Sequence, residues 1–310
     1  MPPPFVHPFG SALLLAFALT VMSAMQAYAD SLSGNQEIWR INTRPVTFSS
    51  PNNENFAKLC FFRQTDNHWT TGSSETFFQT QAADIPLIVF VPGYTSTTAD
   101  TTQTGLNLVR LFNADTNHRK YRIVFWDWYA DRSICRIRPD IRSKIPIAKG
   151  SAGYLTLFLQ SLQPESKVCL FGFSFGARIV CDGVQNLAES DAGQLHLRVV
   201  LSAAAADQHG LGSQSQYCNV VKYAEKVLVT YNPDDWALSF YPYMYEPGYR
   251  AEALGLLGVP MKSILPEYRS RIESVSVKTH IGIEHKTLKH AGSPVFRSRM
   301  DEYFFFSTAD

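Results

Sequence analysis

Short apolar-rich runs recur along the chain at residues 85–91, 121–128, 168–171, 197–202, 226–231 and 272–277. Runs of this length, rich in β-branched and aromatic residues and closed by Gly, Pro, Asn or Asp, are patterned for strands covered on both faces. Between them the apolar period becomes helical. Residues 98–112 carry Leu106, Val109 and Phe112 on one face. Residues 150–162 carry Ala152, Leu155, Leu159 and Leu162, and residues 175–188 carry Ile179, Val180, Val184 and Leu187. This alternation predicts an α/β fold with a mostly parallel central sheet and helices on both faces. Residues 30–83 are more polar; 37–41 and 58–62 read as two edge strands, and His68-Trp69 as loop surface. Ser293-Pro294 supplies a cap residue and a first-turn proline for a closing helix. The aromatic and proline-rich stretch 240–266, with Tyr241, Tyr243, Tyr245 and Tyr249, reads either as a cap over the crevice or as a long packed excursion.

The sharpest local signal is Gly172-Phe173-Ser174-Phe175-Gly176, set between a strand at 168–171 and a helix at 175–188. A serine on so tight a turn needs neighbours without side chains, so that strand and helix can approach closely. The helix start behind it aims backbone N–H groups and the positive dipole end at a developing oxyanion. This G-x-S-x-G resembles the nucleophile elbow of the α/β-hydrolase superfamily. More narrowly, the chain resembles bacterial lipase-like α/β hydrolases of unknown function whose first βα loop reads H-G-Y, whose next strand ends in a W-x-W-like or S-W-P segment, and whose elbow reads G-x-S-x-G-A-R. Here those segments are Pro92-Gly93-Tyr94, Trp126-Asp127-Trp128 and the run from Gly172 to Arg178. The resemblance covers residues 86–306 and implies a single α/β-hydrolase domain over 30–310. It also implies an oxyanion hole made by the N–H groups of Phe175 and Tyr94. Pro92 stands where the family usually has His. That departure keeps the donor and removes a side chain that often buttresses the loop.

Composition narrows the partners. The chain has 310 residues, 45% of them apolar, and a net charge of +1. Nothing in that balance favours nucleic acid. Residues 1–29 contain no Asp, Glu, Lys or Arg and end in Ala27-Tyr28-Ala29 before Asp30. An apolar core followed by A-x-A fits a secretory signal peptide cleaved after Ala29, placing the mature protein outside the cytoplasm or in a periplasm. Residues 11–29 are almost long enough to span a bilayer, so an uncleaved N-terminal anchor is the rival reading. Of five cysteines, Cys169 and Cys181 fall in the elbow strand and the helix after it and read as buried; Cys60, Cys135 and Cys218 leave room for one disulfide. The segment after residue 128 holds Arg132, Arg136, Arg138, Arg142, Lys144 and Lys149 against Asp131 and Asp140. It reads as a loop with a solvated face, or as a basic rim that favours anionic substrates or a membrane surface.

A serine nucleophile needs a base, and the base needs a carboxylate to hold its tautomer. After Ser174 the chain offers Asp207, Asp234 and Asp235 at strand ends, then His280, His285 and His290 beyond the last strand. The segment from His280 to His285 has one residue too many for H-x-x-E-H, and Gly282 disfavours the helix that motif needs, so no metal or other cofactor is expected. His280 lies close to the last strand and His290 precedes Ala-Gly, which suggests a surface turn. His285 resembles the family's G-x-x-H segment, and Asp235 resembles its acid placed before a short aliphatic stretch. The reading is a secreted serine hydrolase of the esterase or lipase type, with Ser174, Asp235 and His285 as its triad and a small-molecule or lipid ester as substrate. The alternative is an α/β-hydrolase-fold protein that binds without turnover.

Overall fold

The structure, a computed structural model, describes residues 36–115, 119–190, 193–244 and 251–307. Residues 1–29, Tyr245 and Tyr249 lie outside the described residues. Among the described residues nine strands form one sheet: β1 (Gln36–Asn42), β2 (Cys60–Thr65), β3 (His68–Gly72), β4 (Leu87–Val91), β5 (Tyr121–Asp127), β6 (Lys167–Phe173), β7 (His196–Ser202), β8 (Lys226–Tyr231) and β9 (Ile272–Ser276). Their order is β3-β2-β1-β5-β4-β6-β7-β8-β9. Along β1-β5-β4-β6-β7-β8-β9 every pairing is parallel, whereas β2 pairs antiparallel with both β1 and β3. β4 and β5 are buried along their whole length, which explains their lack of polar alternation.

Three long helices cover this sheet: α1 (Thr98–Asp115), α2 (Ile137–Gln160) and α3 (Phe175–Ala188). Neighbouring residues of β5 show the two faces. A Cβ on Gly105 of α1 would strike the Phe125 ring, whereas Trp126 donates to Ser151 Oγ of α2 at 2.9 Å. On the α1 face, the rings of Phe112, Phe171, Phe296 and Phe304 pack together in tilted and edge-on pairs; on the other, Trp126 and Phe158 meet edge to face. Each such buried aromatic contributes about 1.5–3 kcal/mol.

Four expectations are corrected. The basic segment is largely helical, since α2 starts at Ile137 and runs through Pro146. Ile141, Ile147 and Ala148 give that part an apolar stripe, so packing overrides the proline. Asp140 and Lys144, read as part of a solvated face or rim, are fully buried. His68-Trp69 lies in β3 rather than a loop, with the Trp69 ring 6.1 Å from that of Phe125. The closing helix is two short pieces, Pro294–Arg297 and Met300–Phe305. All five cysteines are free thiols, with Cys169 and Cys181 buried. Within 251–266, residues Leu254–Leu257 lie against the sheet: Leu254 donates to Ala206 O at 2.7 Å and Gly255 to Ala204 O at 2.9 Å.

Candidate active site

The carboxyl ends of parallel strands face the ligand crevice of an open α/β sheet. Ser174 follows β6 at that end, with φ 52° and ψ −118°. A non-glycine residue held there carries strain of about 1–3 kcal/mol and persists only when its surroundings over-determine it. They do so here. Ser174 N donates to Ser202 O at 3.0 Å, while Ser174 O accepts from Ala177 N at 3.1 Å and Ala205 N at 3.0 Å. A Cβ on Gly176 would fall 2.2 Å from Val91 O, so only glycine lets α3 start this close to β4. The turn leaves the serine side chain facing the crevice with the first turn of α3, beginning at Phe175, directly behind it.

His285 reaches Ser174 from beyond the last strand, between Gly282 and the short helix Thr287–Ala291. Its Nε2 is 2.8 Å from Ser174 Oγ, and its Nδ1 is 2.7 Å from Asp235 Oδ2. Asp235 is fully buried, and its other oxygen accepts the N–H groups of Ala237 and Leu238 at 3.0 and 3.1 Å. A carboxylate only accepts, so Nδ1 carries the ring proton and Nε2 accepts from the serine hydroxyl. The Phe173 ring packs on the imidazole with centroids 5.0 Å apart.

The loop after β4 completes the site. A Cβ on Gly93 would lie 3.0 Å from Ser174 Cβ, so this loop sits directly against the serine. Four bonds pin it. Trp128 Nε1 donates to Pro92 O at 2.9 Å, Thr95 N to Ala130 O at 2.9 Å, and Arg44 Nη2 to Ser96 O at 3.1 Å. The fourth is the Tyr94 hydroxyl, donated to Asp140 Oδ2 at 2.5 Å. The Trp128 ring also stacks on Phe175 at 5.8 Å, bracing the helix start. Burial, then the Asp140 carboxylate, pushes the Tyr94 hydroxyl well above the ordinary tyrosine range. Burial works against charge on Asp140, but bonds from Tyr94, Ser133 and Ile134 outweigh it and hold its carboxyl at about 2.

A parallel sheet with one strand exchange at β5-β4-β6, a serine elbow on β6 and a histidine loop after the last strand make one architecture. The fold is that of the α/β hydrolases. No family model matches the sequence, and no curated protein sequence matches it. Among solved structures, the chain is similar to an esterase from Rhodococcus sp. ECU1013, at 13% identity and a TM-score of 0.43, covering 80% of this chain and 94% of that one. It is similar to esterase B from Lactobacillus rhamnosis at 11% identity and a TM-score of 0.40, covering 97% and 96%. A lipase-esterase related protein from Clostridium acetobutylicum ATCC 824 is similar at 11% identity and a TM-score of 0.37, covering 70% and 93%.

The remaining candidate acids and histidines lie elsewhere. Asp207 accepts from His209 N at 2.8 Å, and Asp234 is exposed and pairs with Lys278 at 3.0 Å. His280 is exposed in the short helix Lys278–Ile281. His290, expected in a surface turn, is fully buried with its ring 5.6 Å from Phe173. Burial, then the neighbouring His285, lowers its pKa to about 4. The turn after it is real, but the His290 side chain faces the interior.

Sequence reasoning missed Asn232, whose fully buried side chain donates to Gly282 O at 2.7 Å. It also missed the hold of Asp140 on Tyr94. An asparagine just past a strand is an ordinary turn signal, and Asp140 sat among basic residues, so neither carried a mark of its role. Beside Ser174 opens a cavity of about 800 Å³, lined by Ile137, Ile141, Phe173, Trp236, Leu238 and Leu288, with Lys286 and Lys289 among its polar residues.

Proposed function

We propose that the protein is a serine hydrolase of carboxylic esters. One observation carries the reading: the unbroken line from Ser174 Oγ through the His285 ring to buried Asp235. In the first step Ser174 Oγ attacks the ester carbonyl while His285 Nε2 takes its proton. The carbonyl oxygen becomes an oxyanion held by the N–H groups of Phe175 and Tyr94, helped by the α3 dipole. Collapse breaks the bond to the alcohol, which leaves with the proton from His285, and an acyl-serine remains. Water then gives its proton to His285 and attacks the acyl carbon. The second collapse releases the acid and returns the proton to Ser174. Asp235 stays ionised and stabilises the imidazolium in both halves.

The large apolar side chains around the cavity favour an apolar acyl or alcohol group, so the substrate is a small-molecule or lipid ester. Export rests on the sequence: residues 1–29 form a signal peptide and the protein acts outside the cytoplasm. The reading is tested with a fluorophosphonate probe and p-nitrophenyl butyrate. Wild type should label and turn over. Ser174→Ala should not label and should lose several orders of magnitude in kcat. Labelling that survives in Ser174→Ala puts the nucleophile elsewhere, and a wild type that neither labels nor turns over ends the hydrolase reading.

A further inference from the structure

Asp140 is fully buried yet stands outside the serine, histidine and aspartate line. Both its oxygens are engaged. Oδ2 accepts the Tyr94 hydroxyl at 2.5 Å, and Oδ1 accepts Ser133 N, Ile134 N and the Ser133 hydroxyl at 2.9, 2.8 and 2.8 Å. Lys144, also fully buried, donates to Ser133 Oγ at 3.0 Å and sits 4.5 Å above the Tyr129 ring. The first turn of α2 carries Asp140, where the helix dipole favours its charge.

We propose that Asp140 is a positioning residue for the oxyanion hole, setting the Tyr94 peptide through the Tyr94 hydroxyl. This rests on the hydrolase reading above. An oxyanion donor acts only when it lies about 2.7–3.1 Å from where the charge will form, and a displacement of about 1 Å costs up to ~100-fold in rate. Here Pro92 offers the loop no side-chain hydrogen bond of its own. Its two flanks are fixed through the backbone, at Pro92 O by Trp128 and at Thr95 N by Ala130. Thr95 itself holds φ at 73°, a conformation that a side chain disfavours and that relaxes unless held. The Tyr94 side chain is the remaining lever on the peptide between those flanks, and Asp140 grips its far end. A group needed only to fill space would not bury a charge at this point, because a well-packed apolar side chain does that at lower cost. Asp140 also ties down residues 133–134, so the role through Tyr94 must be separated from simple anchoring of that turn.

Tyr94→Phe removes the hydroxyl and leaves the other bonds of Asp140 in place. With p-nitrophenyl butyrate it should lower kcat about tenfold or more and leave KM within about twofold, because the hole acts on the transition state. The rate of fluorophosphonate labelling should fall with kcat. Asp140→Asn alone should give the same pattern, and the double variant should lose no more than the worse single one. Ser133→Ala removes one of the three bonds to Asp140 Oδ1 and leaves the Tyr94 bond in place, so it should lower Tm and cost less kcat than Tyr94→Phe. Wild-type kcat in Tyr94→Phe overturns the inference. So does a Ser133→Ala variant that loses as much kcat as Tyr94→Phe, since general softening would then explain both. A wild type without labelling or turnover removes the hydrolase reading and this inference together. Normal wild-type turnover with an unaffected Tyr94→Phe removes this inference alone.

Discussion

The side-chain amide of Asn232 donates to the carbonyl of Gly282 at 2.7 Å, tying the end of β8 to the loop that carries His285. Its Oδ1 also accepts Asp234 N at 3.2 Å, and its own N donates to Gly255 O at 2.9 Å. One buried residue thus sets the acid turn and the histidine loop against each other. Asn232→Ala should lower kcat/KM for p-nitrophenyl butyrate by about tenfold or more, by releasing His285 from its line to Ser174. Asn232→Asp should do no better, because a carboxylate cannot donate to Gly282. Unchanged kinetics in both would show that the loop holds itself.

Asp234 and Asp235 are adjacent in sequence and opposite in environment. Asp235 is fully buried and bonded to His285, whereas Asp234 is exposed beside Lys278. Asp235→Asn should lower kcat by about 10⁴-fold, the effect of forcing the wrong imidazole tautomer. Asp234→Asn should stay within a few-fold, since an exposed ion pair contributes little. Steady-state kinetics of the two variants decide this, and equal losses would remove the distinction.

His290 links stability to pH. Neither of its ring nitrogens has a hydrogen-bond partner among the described residues. Its folded pKa is lowered from 6.5 to about 4, by burial first and by His285 next, with Asp235 opposing. The unfolded chain therefore binds the proton more readily. The stability this contributes is complete above pH 6.5 and is lost as pH falls towards 4; its full size is about 3 kcal/mol. His290→Leu should flatten the fall of Tm across that window, and His280→Ala, at an exposed site, should leave it unchanged. A slope in His290→Leu equal to that of wild type would assign the pH dependence to other groups.

The amino terminus gives a test independent of the site. Mass spectrometry of protein recovered outside the cytoplasm should find a chain beginning at Asp30. Residues 1–29 intact on membrane-bound protein would indicate an anchor.

The order of strands and helices was legible in the sequence because it depends on local spacing. The apolar runs that became β4 to β9 and the helical stripe of α3 each carry their own signal within a dozen or so residues. The elbow was legible for the same reason: strand, glycine, serine, glycine and helix are consecutive in the chain. The short closing pieces and the start of α2 were less legible, because Pro146 and the charges around it imitate a loop until Ile141, Ile147 and Ala148 find a surface to cover. The meeting of side chains was a matter for the tertiary structure. His285 lies 111 positions from Ser174 and 50 from Asp235, and no local rule brings such residues within hydrogen-bonding distance. Composition cannot show that His290 turns inward while His280 stays in water, or that Asp140 leaves its basic neighbours to hold Tyr94. Burial and partners are set by what the rest of the chain packs around each residue, and that is decided only when the sheet and its helices close.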